Sequence, residues 1–145
     1  MGRIMAIDYG RKRVGIAVTD ELQLIANGLT TVPAHEIMAF LRSYVKQEKI
    51  DAFVVGEPRQ MNNQPSESLQ YIMPFVNWLK KEFPEIPVEM MDERFTSKMA
   101  FQTMIDGGLK KKARQRKELV DTISATIILQ SYLSSKSIRK NQENS

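Results

Sequence analysis

Residues 4–20 read IMAIDYGRKRVGIAVTD, two apolar runs separated by a polar turn that contains Gly10 and three consecutive basic residues. Short β-prone runs around such a turn predict a β-hairpin near the N-terminus. Asp8 follows the first run directly. A carboxylate at the end of a strand either shapes the turn or anchors a site, so its role depends on what else reaches this point.

Composition narrows the class of protein. The chain has 145 residues, of which 42% are hydrophobic and 26% charged, which predicts one globular domain over residues 1–135 and a polar, flexible tail over 136–145. It has no cysteine and one histidine, so a metal would need oxygen ligands. We find neither a signal-peptide pattern nor an apolar run of about 20 residues, and we expect a cytoplasmic protein without a membrane partner.

The apolar periodicity beyond the hairpin predicts strands alternating with helices. We expect strands at residues 28–32, 50–56 and 86–91, and helices at 34–47, 66–81, 96–106 and 118–133. Three closely joined strands should form an antiparallel meander, and strands joined through helices should be parallel. The predicted fold is therefore an α/β fold, with a five-stranded mixed sheet flanked by helices and with the first strand in its middle.

Four acidic residues fall where such a sheet collects ligands. Asp8 closes the first strand, Asp92 and Glu93 close the fifth, and Asp121 lies in the first turn of the last helix. Each could be a turn residue or a helix N-terminal acid, but their joint placement favours a site. Converging carboxylates need a compensating cation, and Mg²⁺ or Mn²⁺ fits. Two such ions about 4 Å apart can support phosphodiester cleavage.

Basic residues surround these acids. Residues 109–117 contain six Lys or Arg among nine, and this segment precedes the helix that carries Asp121. A charge run is often only a solvated loop. Beside a site for phosphodiester chemistry, however, such cations are expected to contact phosphates of a nucleic acid. The candidates are Arg11, Lys12, Arg13, Lys110, Lys111, Lys112, Arg114, Arg116 and Lys117. No aromatic residue is interleaved in the run, so base stacking is not expected there.

Four segments resemble, in order, the motifs of the YqgF or RuvX family of bacterial nucleases. They are DYGRKRVGIAVTD (8–20), VVGEP (54–58), DERFTS (92–97) and DTISATIILQSYL (121–133). The resemblance implies an RNase H-like fold and a metal-dependent nuclease that processes the 5′ end of precursor small-subunit (16S) rRNA. It implies Asp8 and Asp121 as metal ligands and either Asp92 or Glu93 as the middle one, with Glu93 favoured for reach. Arg94 joins the expected nucleic-acid contacts.

Other functions remain open from the sequence. The protein could be a resolvase of Holliday junctions or other branched DNA, or a non-catalytic nucleic-acid-binding factor in ribosome assembly. The Asp-x-Gly hairpin also resembles the first phosphate loop of the actin and sugar-kinase ATPases, but 145 residues leave no room for their second lobe. We expect a monomer or weak homodimer. Glu57 departs from the family, which usually has leucine at that position.

Overall fold

The structure is a computed structural model that describes residues 2–57, 69–92 and 117–143, with side chains described for 2–57, 69–91 and 122–135. The elements in chain order are β1 (Arg3–Tyr9), β2 (Arg13–Thr19), β3 (Ala26–Pro33), a 3₁₀ turn (Ala34–Glu36), α1 (Ile37–Gln47), β4 (Ile50–Glu57), α2 (Leu69–Glu82), β5 (Val88–Asp92) and α3 (Lys117–Glu143).

The strands form one sheet in the order β3-β2-β1-β4-β5. The strand pairs β1–β2 and β2–β3 are antiparallel, whereas β1–β4 and β4–β5 are parallel. The five-stranded mixed sheet and the central position of β1 confirm the predicted fold class. The carboxyl ends of β1, β4 and β5 therefore meet at one edge, which we call the carboxyl edge.

Alternation along the strands separates two hydrophobic layers. Met5 and Ile7 of β1 belong to a layer with α1 and α2, whose buried residues include Leu41 and Phe75. The opposite layer joins the sheet to α3 through Ile4, Ala6, Ala17, Ala52, Val54, Ala125, Ile128 and Leu129. We call these two sides of the sheet the α1/α2 face and the α3 face. Alanine on three strands lets the backbone of α3 approach the sheet closely.

The turn between β2 and β3 is held by one carboxylate. Asp20 accepts hydrogen bonds from the backbone N–H groups of Leu22 (3.3 Å), Leu24 (2.8 Å) and Ile25 (2.8 Å). These bonds favour the charged form, so the pKa of Asp20 is lowered, chiefly by the bond from Ile25. The turn is thus stabilised by an ionised side chain.

Some element boundaries differ from the sequence prediction. α3 continues to Glu143, well past residue 133, because residues 134–143 contain neither glycine nor proline to stop helix propagation. Pro74 lies inside α2. The predicted start of that helix at residue 66 and the whole predicted helix at 96–106 lie outside the described residues. In the described ranges, no helix is long and apolar enough to cross a membrane.

Candidate active site at the carboxyl edge of the sheet

Asp8 lies at the carboxyl edge on the α3 face. Successive residues of a strand lie on opposite faces of the sheet. Met5 and Ile7 pack against α1 and α2, whereas Ile4 and Ala6 pack against α3, so Asp8 lies on the α3 face with Ile4 and Ala6. Its side chain is half-buried. The carboxylate is therefore on the side of the sheet covered by the helix that carries Asp121.

Two glycines flank Asp8 on the neighbouring strands. Gly15 pairs with Asp8 across the antiparallel ladder. On the other side Val55 pairs with Ile7, so Gly56 is the position next to Asp8. Neither neighbour places a side chain beside the carboxylate on the α3 face. A glycine inside a strand often marks such a place, where a ligand approaches the backbone closely.

The start of α3 lies at the same level as Asp8. The row across the sheet continues from Asp8 through Gly15 to Thr31. The Oγ1 atoms of Thr31 and Thr122 are 2.7 Å apart, which is a hydrogen bond. Two strand spacings, about 10 Å, separate Asp8 from Thr31 along this row, and Thr31 holds the residue that follows Asp121. The structure thus brings Asp8 and the backbone at position 121 to the same level on one face.

A glycine on β3 allows this close approach of α3. A Cβ atom on Gly28 would lie 2.6 Å from the Cγ2 methyl of Thr122 and 3.3 Å from Oγ1 of Thr126. The hydroxyl of Thr126 in turn donates to the carbonyl of Thr122 at 2.9 Å. The position of the first turns of α3 therefore depends on the missing side chain at Gly28.

The third acidic position comes from β5, the edge strand beside β4. Gly56 pairs with Met91, and Met91 packs in the α3-face layer, whereas Val88 and Met90 pack on the α1/α2 face. Odd-numbered positions at the end of β5 therefore belong to the face of Asp8. Glu93 and the side chains of Asp92 and Asp121 lie outside the described part. Within that part, no group of three acidic or histidine side chains could hold a metal.

The predicted basic residues of the hairpin lie beside Asp8. Arg11 and Lys12 are exposed at its tip, and Arg13 is half-buried. Val14 and Ile16 of the same strand face α1 and α2, so Arg13 lies on the opposite, α3 face. The N–H of Gly10 donates to the carbonyl of Arg13 at 2.9 Å, and a Cβ on Gly10 would lie 2.6 Å from that oxygen. Glycine thus keeps the tip tight and its cations close to the carboxyl edge.

The structure does not describe the side chains of the other predicted nucleic-acid contacts. Arg94, Lys110, Lys111, Lys112, Arg114 and Arg116 lie outside the described residues, and Lys117 is described only as the first backbone position of α3. Glu57, the departure from the family motif, is the last residue of β4. It lies on the same face of the strand as Phe53 and Val55, which face α1 and α2. It therefore lies on the opposite face from Asp8.

Sequence reasoning missed one residue at this edge, Tyr71 in the first turn of α2. The guanidinium carbon of Arg11 lies 4.8 Å from the centre of the Tyr71 ring. One helical turn later, Phe75 stacks on Tyr9 with ring centres 4.5 Å apart. The sequence signal was an aromatic residue that precedes a buried aromatic by four positions. Its partner lies far away in the chain, so no local pattern pairs the two.

Comparison with known proteins places this geometry in context. A family model described as "RuvX: Holliday junction resolvase" matches residues 2–135. Proteins named "Putative pre-16S rRNA nuclease" from Phocaeicola vulgatus and Bacteroides thetaiotaomicron are 65% and 64% identical over 136 residues. These alignments cover 94% of this chain, and 98% and 99% of those proteins. A Flavobacterium johnsoniae protein of the same name is 61% identical over 136 residues, which are 94% of this chain and 99% of its own.

Solved structures of a more distant protein have the same fold. RuvC of Thermus thermophilus in complex with a Holliday junction superposes with a TM-score of 0.53 at 18% identity, covering 88% of this chain and 92% of RuvC. A second RuvC structure from the same organism gives a TM-score of 0.53 at 19% identity, over 87% and 92% of the two chains. This likeness confirms the RNase H-like fold that the motifs implied.

Proposed function

This chain belongs to the RuvX family, and from that membership we propose that it is a divalent-metal-dependent nuclease that processes the 5′ end of precursor 16S rRNA. It is a hydrolase that cleaves phosphodiester bonds. The observation that carries the proposal is the placement of Asp8, between two glycines and level with the start of α3. That placement supports Asp8 as the anchor of the proposed cleavage site.

The proposed metal ligands are Asp8, Glu93 and Asp121. All are carboxylates, the donors that hard divalent cations prefer, and the chain has no cysteine to compete. Alternation on β5 supports Glu93 over Asp92, because Met91 packs on the face of Asp8 and position 93 is the next of the same parity. Bound Mg²⁺ or Mn²⁺ would polarise a phosphate oxygen and lower the pKa of a water molecule.

The protein's own cations would hold the substrate. Arg11 and Lys12 at the exposed tip are placed to contact phosphates on either side of the bond to be cut. Arg13, half-buried on the face of Asp8, would reduce repulsion between the acidic centre and the phosphodiester. The glycines beside Asp8 would let the nucleic-acid backbone approach the carboxylate.

Precursor rRNA is favoured as substrate over branched DNA. Curated relatives that carry the rRNA name include proteins that are 59–65% identical over nearly their whole length, whereas the junction-bound structure is 18% identical. The family description keeps junction resolution as the alternative activity. We propose that the enzyme acts in the cytoplasm, where ribosomal precursors are processed. We also propose that it acts as a monomer or weak homodimer.

Substrate choice is tested by offering an end-labelled fragment spanning the precursor 16S 5′ end and a four-way DNA junction under identical conditions. With Mg²⁺ or Mn²⁺ we expect cleavage of the RNA, and with EDTA none. Cleavage of the junction alone would favour the resolvase alternative. Binding of the RNA without cleavage under any divalent condition would favour the non-catalytic alternative.

The choice of middle ligand is tested with two matched variants. Glu93→Gln should lower the cleavage rate by more than about 100-fold, whereas Asp92→Asn should change it by less than about tenfold. Each variant removes one charge and keeps the shape of the side chain. The reverse order of effects would assign the ligand to Asp92.

A further inference from the structure

We propose that Tyr71, braced by Arg11, is a stacking site for an unpaired base at the carboxyl edge, so that the protein selects single-stranded segments. This inference rests on the proposed nuclease function and adds the class of substrate that the site accepts. No basic run or motif of the sequence contains Tyr71, and its assignment comes from its neighbours in space.

A cation–π contact and an aromatic stack connect the start of α2 to the hairpin. Arg11 lies over the ring of Tyr71 at 4.8 Å, and Tyr9 stacks on Phe75 at 4.5 Å with an interplanar angle of 20°. Phe75 is 2% exposed, whereas Tyr71 is 41% exposed. Phe75 therefore secures the helix, and Tyr71 is left one turn nearer the carboxyl edge with part of its ring open to solvent.

A second cation–π pair in the protein shows what a purely structural pair looks like. Arg42 lies 5.5 Å from the ring centre of Trp78, and its Nε atom is 2.9 Å from Oε1 of Glu82. Trp78 packs against the buried layer. In that pair the cation is paired with a carboxylate and the aromatic residue is partly buried.

The Arg11–Tyr71 pair differs on both points. Within the described residues Arg11 forms no ion pair, and its side chain is exposed. Its guanidinium group keeps donors for a phosphate while its plane and the tyrosine ring offer surfaces for stacking. The pair therefore combines the two contacts that bind a nucleotide of a single strand.

The tip of the hairpin links this surface to the cleavage site. Arg11 follows Asp8 by three positions in the hairpin, whereas α2, which carries Tyr71, packs on the opposite face of the sheet from Asp8. A strand whose phosphate reached Asp8 would pass the tip of the hairpin, where an adjacent base could leave its stack and cover Tyr71. A base inside a duplex is already stacked on both faces, so a duplex gains nothing from this contact.

The test measures binding without divalent ions, so that no cleavage occurs. A fluorescein-labelled single-stranded RNA of about ten nucleotides, matched to the precursor 5′ region, is titrated in EDTA against wild type, Tyr71→Ala, Tyr71→Leu and Tyr71→Phe. The same RNA annealed to its complement provides the duplex arm. We expect Tyr71→Ala and Tyr71→Leu to weaken single-strand binding by about 5- to 100-fold and duplex binding by less than about twofold. Tyr71→Phe should bind as wild type does.

Arg42→Met is the matched control. It removes one positive charge and one cation–π contact away from the carboxyl edge, and its single-strand affinity should equal that of wild type. Arg11→Met should lose affinity for the single strand. Thermal melting of each variant verifies that the fold is intact.

The inference is overturned if Tyr71→Ala binds the single strand as wild type does, or if it loses affinity for both RNAs equally. Preference of the wild type for the duplex would overturn it as well. Failure of the nuclease proposal looks different, because the wild type would then leave the RNA intact in Mg²⁺ and Mn²⁺ whatever residue occupies position 71.

Discussion

Gly28→Ala tests whether the approach of α3 to β3 sets the geometry of the site. The new Cβ atom would lie 2.6 Å from Cγ2 of Thr122, and carbon atoms pack at about 3.5–4.0 Å, so the first turns of α3 must retreat by about 1 Å. Rotation of Thr122 instead would break its 2.7 Å hydrogen bond with Thr31. Both routes to relief disturb the end of α3 that carries Asp121.

The expected cost can be estimated from its parts. Overpacking of this kind costs about 1–3 kcal/mol, and replacing glycine in an extended strand returns about 0.4–1 kcal/mol through the unfolded state. The midpoints of these two ranges differ by about 1.3 kcal/mol, so we expect Gly28→Ala to lower the free energy of unfolding by about that amount. Because a displacement of about 1 Å can cost up to 100-fold in rate, cleavage should fall by about 10- to 100-fold.

Thr122→Ser supplies the matched rescue, because it removes the Cγ2 methyl and keeps the hydroxyl that bonds Thr31. Urea unfolding followed by the fluorescence of the single tryptophan gives the stabilities, and cleavage of the labelled RNA gives the rates. The double variant should recover most of the stability and rate that Gly28→Ala loses. The reasoning is refuted if Gly28→Ala is as stable as wild type, or if Thr122→Ser leaves its defect unchanged.

Three further predictions concern the core, a turn and the tip. Phe75→Ala should cost about 3–5 kcal/mol in urea unfolding, since the ring is 2% exposed and stacks on Tyr9; a cost below about 1 kcal/mol would contradict its place in the core. Asp20→Asn should lower the melting temperature at pH 7. The folded pKa of Asp20 lies below its ordinary 3.8, so this gap should be complete above that value and close as the pH falls through the lowered pKa; a gap independent of pH would contradict the charge effect. Lys12→Ala should reduce the salt slope of single-strand RNA binding by about 0.7 for each phosphate that Lys12 neutralises, whereas Lys46→Ala on α1 should not; equal slopes would show that Lys12 does not bind a phosphate.

Local patterns are enough to predict the hairpin and the position of Asp8. Alternating apolar residues around a glycine turn define β1 and β2. The apolar run after α1 predicts β4 as a buried parallel strand, and the structure pairs it with β1. The central strand of the sheet, and the acid at its end, follow from these patterns.

Contacts between distant segments could not be predicted from the sequence. Only the strand register shows that Gly15 and Gly56 lie next to Asp8, one on each neighbouring strand. The proposal of Glu93 over Asp92 rests on the face that receives Met91, which only the packing of β5 shows. A shift of one residue reverses every face of a strand, and sequence patterns place strand ends less accurately than that.

The length of α3 and the role of Tyr71 illustrate two other limits. The apolar periodicity predicts that the last helix ends at residue 133, but the helix backbone continues to Glu143 because residues 134–143 contain neither glycine nor proline. The proposed role of Tyr71 depends on Arg11, which lies far earlier in the chain, in the hairpin between β1 and β2. Helix composition thus decides where α3 ends, and a contact with a distant residue decides the role proposed for Tyr71.

The central claim is that Asp8 anchors the metal-dependent cleavage site, and Asp8→Asn tests it most directly. The substitution keeps the side-chain shape and removes the charge that a divalent cation requires. We predict that single-turnover cleavage of the precursor 16S 5′ fragment in Mg²⁺ falls by more than about 1,000-fold, while binding of the same RNA in EDTA stays within about threefold of wild type. Cleavage by Asp8→Asn at the wild-type rate would contradict the account.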